Sequence, residues 1–158
     1  MTPTLLRIEG EVERPLDLTF DNLRAFAARD QVDDVSRFHP ARRGGGVVLN
    51  ALLQRAGVKP EATYLTLHAT ADDFAASVPL AAVRDEGIVV YHLEGRPLPQ
   101  QIGGPVRFLI RDPAACHTAE LDDCANVKFV DRIELTSSRG RDTRPSSETE
   151  HSRLHEKP

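Results

Sequence analysis

Apolar residues alternate with polar ones, or recur at helical spacing, from the start of the chain to about residue 136. "TLLRIEGEV" reads as a strand that turns at Glu9-Gly10. Leu16 and Leu18 alternate as in a second short strand. Thr19 then stands as the N-cap of a helix starting at Phe20, with Asp21 in its first turn. In "VVLNALLQRAGVKP", Leu49, Leu52, Leu53 and Ala56 fall on one helical face, Gly57 is the stop and Pro60 lies beyond it. "TYLTLHA" sets Leu65, Leu67 and Ala69 against Thr66 and His68, the pattern of a half-buried strand. "VPLAAVRDEG" predicts a short helix beginning near Pro79. "GIVVYHL" has a continuous apolar middle, which predicts a strand buried on both faces. "EGRPLP" is a turn, and "PVRFLI" and "NVKFVDRIEL" are two more strands. In the last of these, Val127, Phe129 and Ile133 share a face only if a bulge falls near Asp131.

Strands therefore dominate, with a few short helices in irregular order. That is an α+β domain with a mixed sheet, not a regular alternation of strand and helix. Residues 137–158 differ in kind, with Leu154 as their one aliphatic residue. Such a segment buries too little apolar surface to offset its ordering entropy, so it is expected to be a disordered polar tail after a domain of residues 1–136. His151 and His155 sit i,i+4 in this tail, where a solvated role is expected over metal chelation. No internal repeat is found.

Composition narrows the function classes. The chain has 158 residues, a formal net charge of −4 and no Trp. A mildly acidic chain is a poor partner for nucleic acid or an anionic membrane. The N-terminus lacks a basic segment followed by an apolar one, and no apolar run has the length of a bilayer span. A soluble, cytoplasmic protein is expected, with its two cysteines reduced.

The motifs of the globular part resemble those of the molybdopterin-binding domain of the sulfite oxidase family. "LRIEGEVERPLDLTFDNL", "GGVVLNALLQRAGVKP", "VVYHLEGRPLPQQIGGPVRFLI" and "NVKFVDRIEL" follow one another in the order of the family's segments, across roughly residues 5–136. The resemblance implies the sulfite-oxidase-type α+β fold, a molybdenum–pyranopterin cofactor and two-electron redox chemistry at oxygen or sulfur. It implies that Arg107, in "GGPVR", contacts the pterin cofactor and that Lys128, in "NVKF", helps to hold it. A guanidinium is suited to phosphate on physical grounds as well, because it offers a fixed fork of donors.

Two departures bear on the metal. The family's ligating cysteine lies between the first helix and the "GGVV" segment, where this chain has "RDQVDDVSRFHPARRGGGVV" and no cysteine; Ser36 and His39 are the nearest polar residues. Neither replaces a soft thiolate well, so little or no stoichiometric molybdenum is expected. The position before the "GGPVR" motif that is often polar in the family is Ile102 here. Cys116, His117 and Cys124 occur instead in the connection "RDPAACHTAELDDCA". Four readings stay open there: Cys116 or Cys124 supplying the missing thiolate from another direction, a zinc-type site of irregular spacing, a dithiol switch, and two buried thiols.

A local basic spot completes the candidates. Arg37, His39, Arg42 and Arg43 precede Gly44–Gly46, and a helix beginning near Gly46 would turn this loop into a phosphate cradle. A mobile solvated loop is the competing reading. His68 and His92 are expected as hydrogen-bonded or surface imidazoles. Two functions follow. One is an oxidoreductase domain that binds a molybdopterin-type anionic cofactor and relies on an external electron-transfer partner. The other is a non-catalytic relative of the same fold that binds an anion or a protein.

Overall fold

The computed structural model describes residues 3–38, 40, 42–111 and 126–143. Two five-stranded sheets carry the fold. The first has the order β2 (Leu16–Thr19), β1 (Thr4–Gly10), β10 (Arg132–Thr136), β5 (Tyr64–Ala69), β6 (Phe74–Pro79). Only its β1–β10 pair is parallel. The second runs β3 (Gln31–Val32), β4 (Gly45–Val48), β7 (Gly87–Leu93), β8 (Arg96–Pro97), and β9 (Arg107–Ile110) also pairs with β7. Three helices, α1 (Phe20–Arg24), α2 (Leu49–Ala56) and α3 (Leu80–Val83), are short. The architecture is mixed sheets with few short helices, as the alternation pattern predicts.

Local chemistry explains the helix ends. Thr19 Oγ1 accepts from the Asn22 N–H at 3.1 Å, and Asn22 Oδ1 accepts from the Thr19 N–H at 2.9 Å. This reciprocal box satisfies two donors that a five-residue helix would otherwise leave open. α2 buries Leu49, Leu52, Leu53 and Ala56, and the Gly57 N–H closes it by donating to Leu53 O.

The main core lies where the two sheets and α2 meet. Leu6, Ile8, Leu65, Leu67, Ile133 and Leu135 come from the first sheet, and Val89, Tyr91, Phe108 and Ile110 from the second. A smaller cluster of Val32, Val35, Ile88, Val90, Leu98 and Leu109 covers the opposite face of β7 and β9. β7 is thus apolar on both sides, which accounts for its unbroken "IVVY" run.

The structure departs from the sequence pattern in five places. α2 begins at Leu49, not near Gly46, and the glycines belong to strand β4. A Cβ on Gly46 would overlap the Val89 carbonyl, and one on Gly45 would meet the His92 ring. These glycines serve the close approach of β4 to β7, not the mouth of a helix. "NVKFVDRIEL" is not one bulged strand: Phe129 has φ +59°, and the strand starts at Arg132. Asp131 marks the corner, where its Oδ1 accepts from the Thr70 N–H at 2.9 Å and hydroxyl at 3.0 Å.

β5 is buried on both faces instead of one. Residues 137–143, the start of the segment that composition assigns to a tail, cover its polar side and flank β6. The Gly140 N–H donates to Ser77 Oγ at 2.9 Å and the Thr143 N–H to Ala75 O at 2.8 Å. Beneath them Thr66 donates to Ser77 at 3.1 Å. His151 and His155 lie outside the described residues. β6 itself, "FAASVP", has no counterpart in the sequence reading, because Ala and Ser carry little strand preference. His68 is buried between Arg132, which donates to Nδ1 at 3.2 Å, and Glu134, at 3.0 Å from Nε2. A guanidinium only donates, so Nδ1 is the acceptor and Nε2 carries the proton toward Glu134.

Two substitutions test these assignments in denaturant unfolding. Thr19→Ala lowers stability by about 1 kcal/mol through loss of the cap. Gly46→Ala costs more, about 2–3 kcal/mol, because the added methyl meets backbone that cannot yield without breaking the β4–β7 ladder.

Candidate functional site

Arg107 opens β9 opposite Val90 of β7, with its side chain on the face of the smaller cluster. It is 4% exposed. Nη1 donates to Ile102 O at 3.0 Å, whereas Nε is buried with no acceptor. The collar around it is the turn from Leu98 to Pro105. That turn is tied down by the Leu98 N–H to Tyr91 O at 3.2 Å and the Gly104 N–H to Pro99 O at 2.9 Å. Gly103 closes the turn with φ +100°, and a Cβ there would crowd Arg107 Cδ and Nη1 and Lys128 Cγ, at 3.2–3.3 Å. A glycine is required both by its backbone angle and by the two cationic chains that pass it.

Lys128 reaches this position because its segment is stitched to the same turn. The Phe129 N–H donates to Gly103 O at 3.0 Å, and the Val130 N–H to Val106 O at 2.8 Å. The lysine is exposed and lines a cavity of about 280 Å³ with Asn126, Phe74 and Asp72. A second cavity of about 450 Å³ lies against Gly104, Pro105 and Phe129 and shares Asp72; Arg107 lines neither.

Burial, and secondarily the nearby Arg42 charge, push the Arg107 guanidinium down to about 10. It remains a cation at neutral pH, but the fold holds it against its preference. The arrangement is a buried cation with an open donor, the Arg42 charge near enough to act on it, and Lys128 passing the same glycine. Such a set can hold an anion through charge-assisted hydrogen bonds.

Of the residues marked by sequence, Arg107 and Lys128 both pass Gly103, and the Arg42 charge is near enough to act on Arg107. Arg43 is exposed next to Gly44. Arg37 is placed elsewhere, with its guanidinium 5.5 Å from the centre of the Phe38 ring. His39 lies outside the described residues, as do Cys116, His117 and Cys124. Among the described residues no group of three or more His, Cys, Asp or Glu could hold a metal ion. The helix-mouth cradle, one of the two readings of Gly44–Gly46, is replaced by strand β4, so the cationic loop ends at Arg43. Sequence reading missed Arg111, which follows β9 and lies 5.2 Å from the centre of the same Phe38 ring. Its signal was available, since 107, 109 and 111 alternate onto one face of a strand.

The family model described as the oxidoreductase molybdopterin binding domain matches residues 43–143. The chain belongs to this family. Arg107 and Lys128 fall inside the matched region, and Arg37 and Arg42 just before it. The chain is 30% identical over 114 residues to the uncharacterized oxidoreductase YuiH of Bacillus subtilis (strain 168), a match that covers 68% of this chain and 56% of that protein. The chain thus spans a little over half the length of that relative. The crystal structure of the sulfane dehydrogenase SoxCD from Paracoccus pantotrophus superimposes with a TM-score of 0.61 at 24% identity, over 85% of this chain and 38% of that one. This likeness confirms the fold. No helix among the described residues is long and apolar enough to cross a membrane.

The environment of Arg107 carries a consequence for stability. A base whose folded-state pKa is depressed disfavours folding at every pH at which it is charged, and is relieved only as pH rises through the depressed value. Arg107→Met is therefore expected to raise the Tm of the ligand-free protein by about 2–4 °C, the shift that about 1 kcal/mol produces in a chain of this size. Differential scanning calorimetry at pH 7 and low anion concentration reads it; a marked fall would mean that the Ile102 hydrogen bond outweighs the buried charge.

Proposed function

We propose that this chain binds a phosphorylated, molybdopterin-type cofactor as the cofactor-holding domain of an oxidoreductase. The observation that carries the reading is the buried Nε of Arg107, which has no acceptor in a side chain that is 4% exposed. A buried donor without a partner is costly, and a phosphate oxygen supplies the missing acceptor together with the counter-charge. Arg42 and Lys128 then hold the same anion from the two sides of the Gly103 turn. Membership of the molybdopterin-binding family supports the choice of a pterin phosphate over other anions.

The cofactor, when bound, supplies two-electron redox chemistry. The residues of this chain fix its anionic end, keep that end out of bulk water and compensate its charge. The described residues fit that end. Around it they offer no thiolate for a metal, and the reading includes no metal ligand from them. Electrons leave or arrive through an external partner, and the domain is cytoplasmic.

Thermal unfolding with inorganic phosphate, and separately with a pterin phosphate, tests the reading. Each is expected to raise Tm by about 3–6 °C at a concentration about ten times its Kd. Arg107→Met loses most of that shift, and Lys59→Ala, on the exposed chain after α2, keeps it. Equal shifts in the two variants would overturn the proposal.

A further inference from the structure

Four buried side-chain atoms among the described residues have no hydrogen-bond partner, and two of them are the Nε atoms of Arg107 and Arg111. The two arginines stand four residues apart on one strand line. The Arg111 N–H donates to Glu86 O at 2.7 Å, which extends the β7–β9 ladder one step past its Gly87–Ile110 pair. Alternation places Arg107, Leu109 and Arg111 on one face, with the two arginines about 13 Å apart along the backbone.

Each arginine has a companion from the same loop. Arg42 lies close enough to Arg107 to depress its pKa. Arg37 and Arg111 both set their guanidinium groups over the Phe38 ring, at 5.5 and 5.2 Å from its centre. Two cations drawn to one aromatic ring repel each other, and an anion held between them removes that repulsion while filling the open Nε donor of Arg111. Glu86 stands directly opposite Arg111 and could have been its partner. It makes no ion pair with Arg111, and its own Oε2 is buried and unpaired. The arginine is therefore set over the ring that Arg37 also approaches, not across the ladder.

We propose that Arg111 and Arg37 form a second anion site on the face that carries Arg107. The ligand is then one molecule with two phosphate or carboxylate groups spaced to reach both arginines. The inference rests on the reading of Arg107 as an anion site and extends it from a single phosphate to a bis-anionic ligand.

The test is a titration of the full chain, labelled with nitrogen-15 at arginine, followed through the Nε–H resonances. Arg107→Lys and Arg111→Lys assign the signals. With inorganic phosphate, both resonances are expected to move and saturate. With 1,6-hexanediol bisphosphate, Kd is expected to fall at least tenfold below that for phosphate, and either lysine variant loses this gain. Phe38→Leu, which removes the ring without touching a charge, weakens the Arg111 response and leaves that of Arg107. If the Arg107 resonance moves while that of Arg111 stays, the second site is wrong and the cofactor reading stands. If neither moves, both fail. If only that of Arg111 moves, or the bisphosphate gains nothing over phosphate, the two-ended ligand is ruled out. An Arg111 resonance that ignores phosphate but shifts in Glu86→Gln would identify the arginine as the carboxylate's ion-pair partner, and the proposal would fall.

Discussion

Arg107 reaches its place because β7 is hydrogen-bonded along both edges and packed on both faces. β4 takes one edge, and β9 and then β8 take the other, so the strand has no freedom to slide. A one-residue slip would turn Ile88 and Val90 into the main core and Val89 and Tyr91 out of it, reversing both clusters at once. Register is therefore fixed by packing on two sides. The pairing of Val90 with Arg107 follows from it, and so does the turn from Leu98 to Pro105 that grips the guanidinium. The close β4 approach that Gly46 permits belongs to the same constraint.

Holding a guanidinium at that point runs against the general tendency of the core. The environment is apolar through Val90, Leu98, Leu109 and Ile102, and among the described residues the buried head donates to a backbone carbonyl. Stability alone would favour an aliphatic residue. Local conflict of this type, in a fold whose other levels agree, is what makes Arg107 a candidate for binding. His68 shows the contrast: it is equally buried, but Arg132 and Glu134 satisfy both ring nitrogens, and it has the character of a structural group.

Much of the fold was legible in the sequence where a single face or a single cap decides the outcome. The Thr19 box, the Leu49–Ala56 stripe and the double-sided apolar run of β7 are of this kind. Other features depend on partners distant in sequence. β6 is a strand because β5 and residues 137–143 sit beside it, not because Ala75, Ala76 and Ser77 favour one. The glycine run looked like an anion cradle until β7 was found packed against it. At the candidate site, Arg107 and Lys128 were reached through family motifs, whereas the approach of Arg42 to Arg107 is a matter of loop packing that no spacing rule reports. Arg111 was overlooked because the strand had been followed only as far as its last apolar residue, Ile110.

The position of β10 has a consequence for how the molecule comes together. β1–β2 and β5–β6 are local antiparallel pairs, but they join into one sheet only when β10 enters between β1 and β5. The named strands of the second sheet all lie within residues 31–110, and Val127 adds a single bridge to Phe108 at its edge. During synthesis all strands of the half that carries Arg107 can thus be present while the other half is still two separate hairpins. Lys128 is four residues ahead of Arg132, on the segment that β10 draws into place. Closure of the first sheet and arrival of the lysine beside Gly103 are then one event, and a chain stalled before residue 132 would present the arginine without the lysine segment that is stitched to its turn.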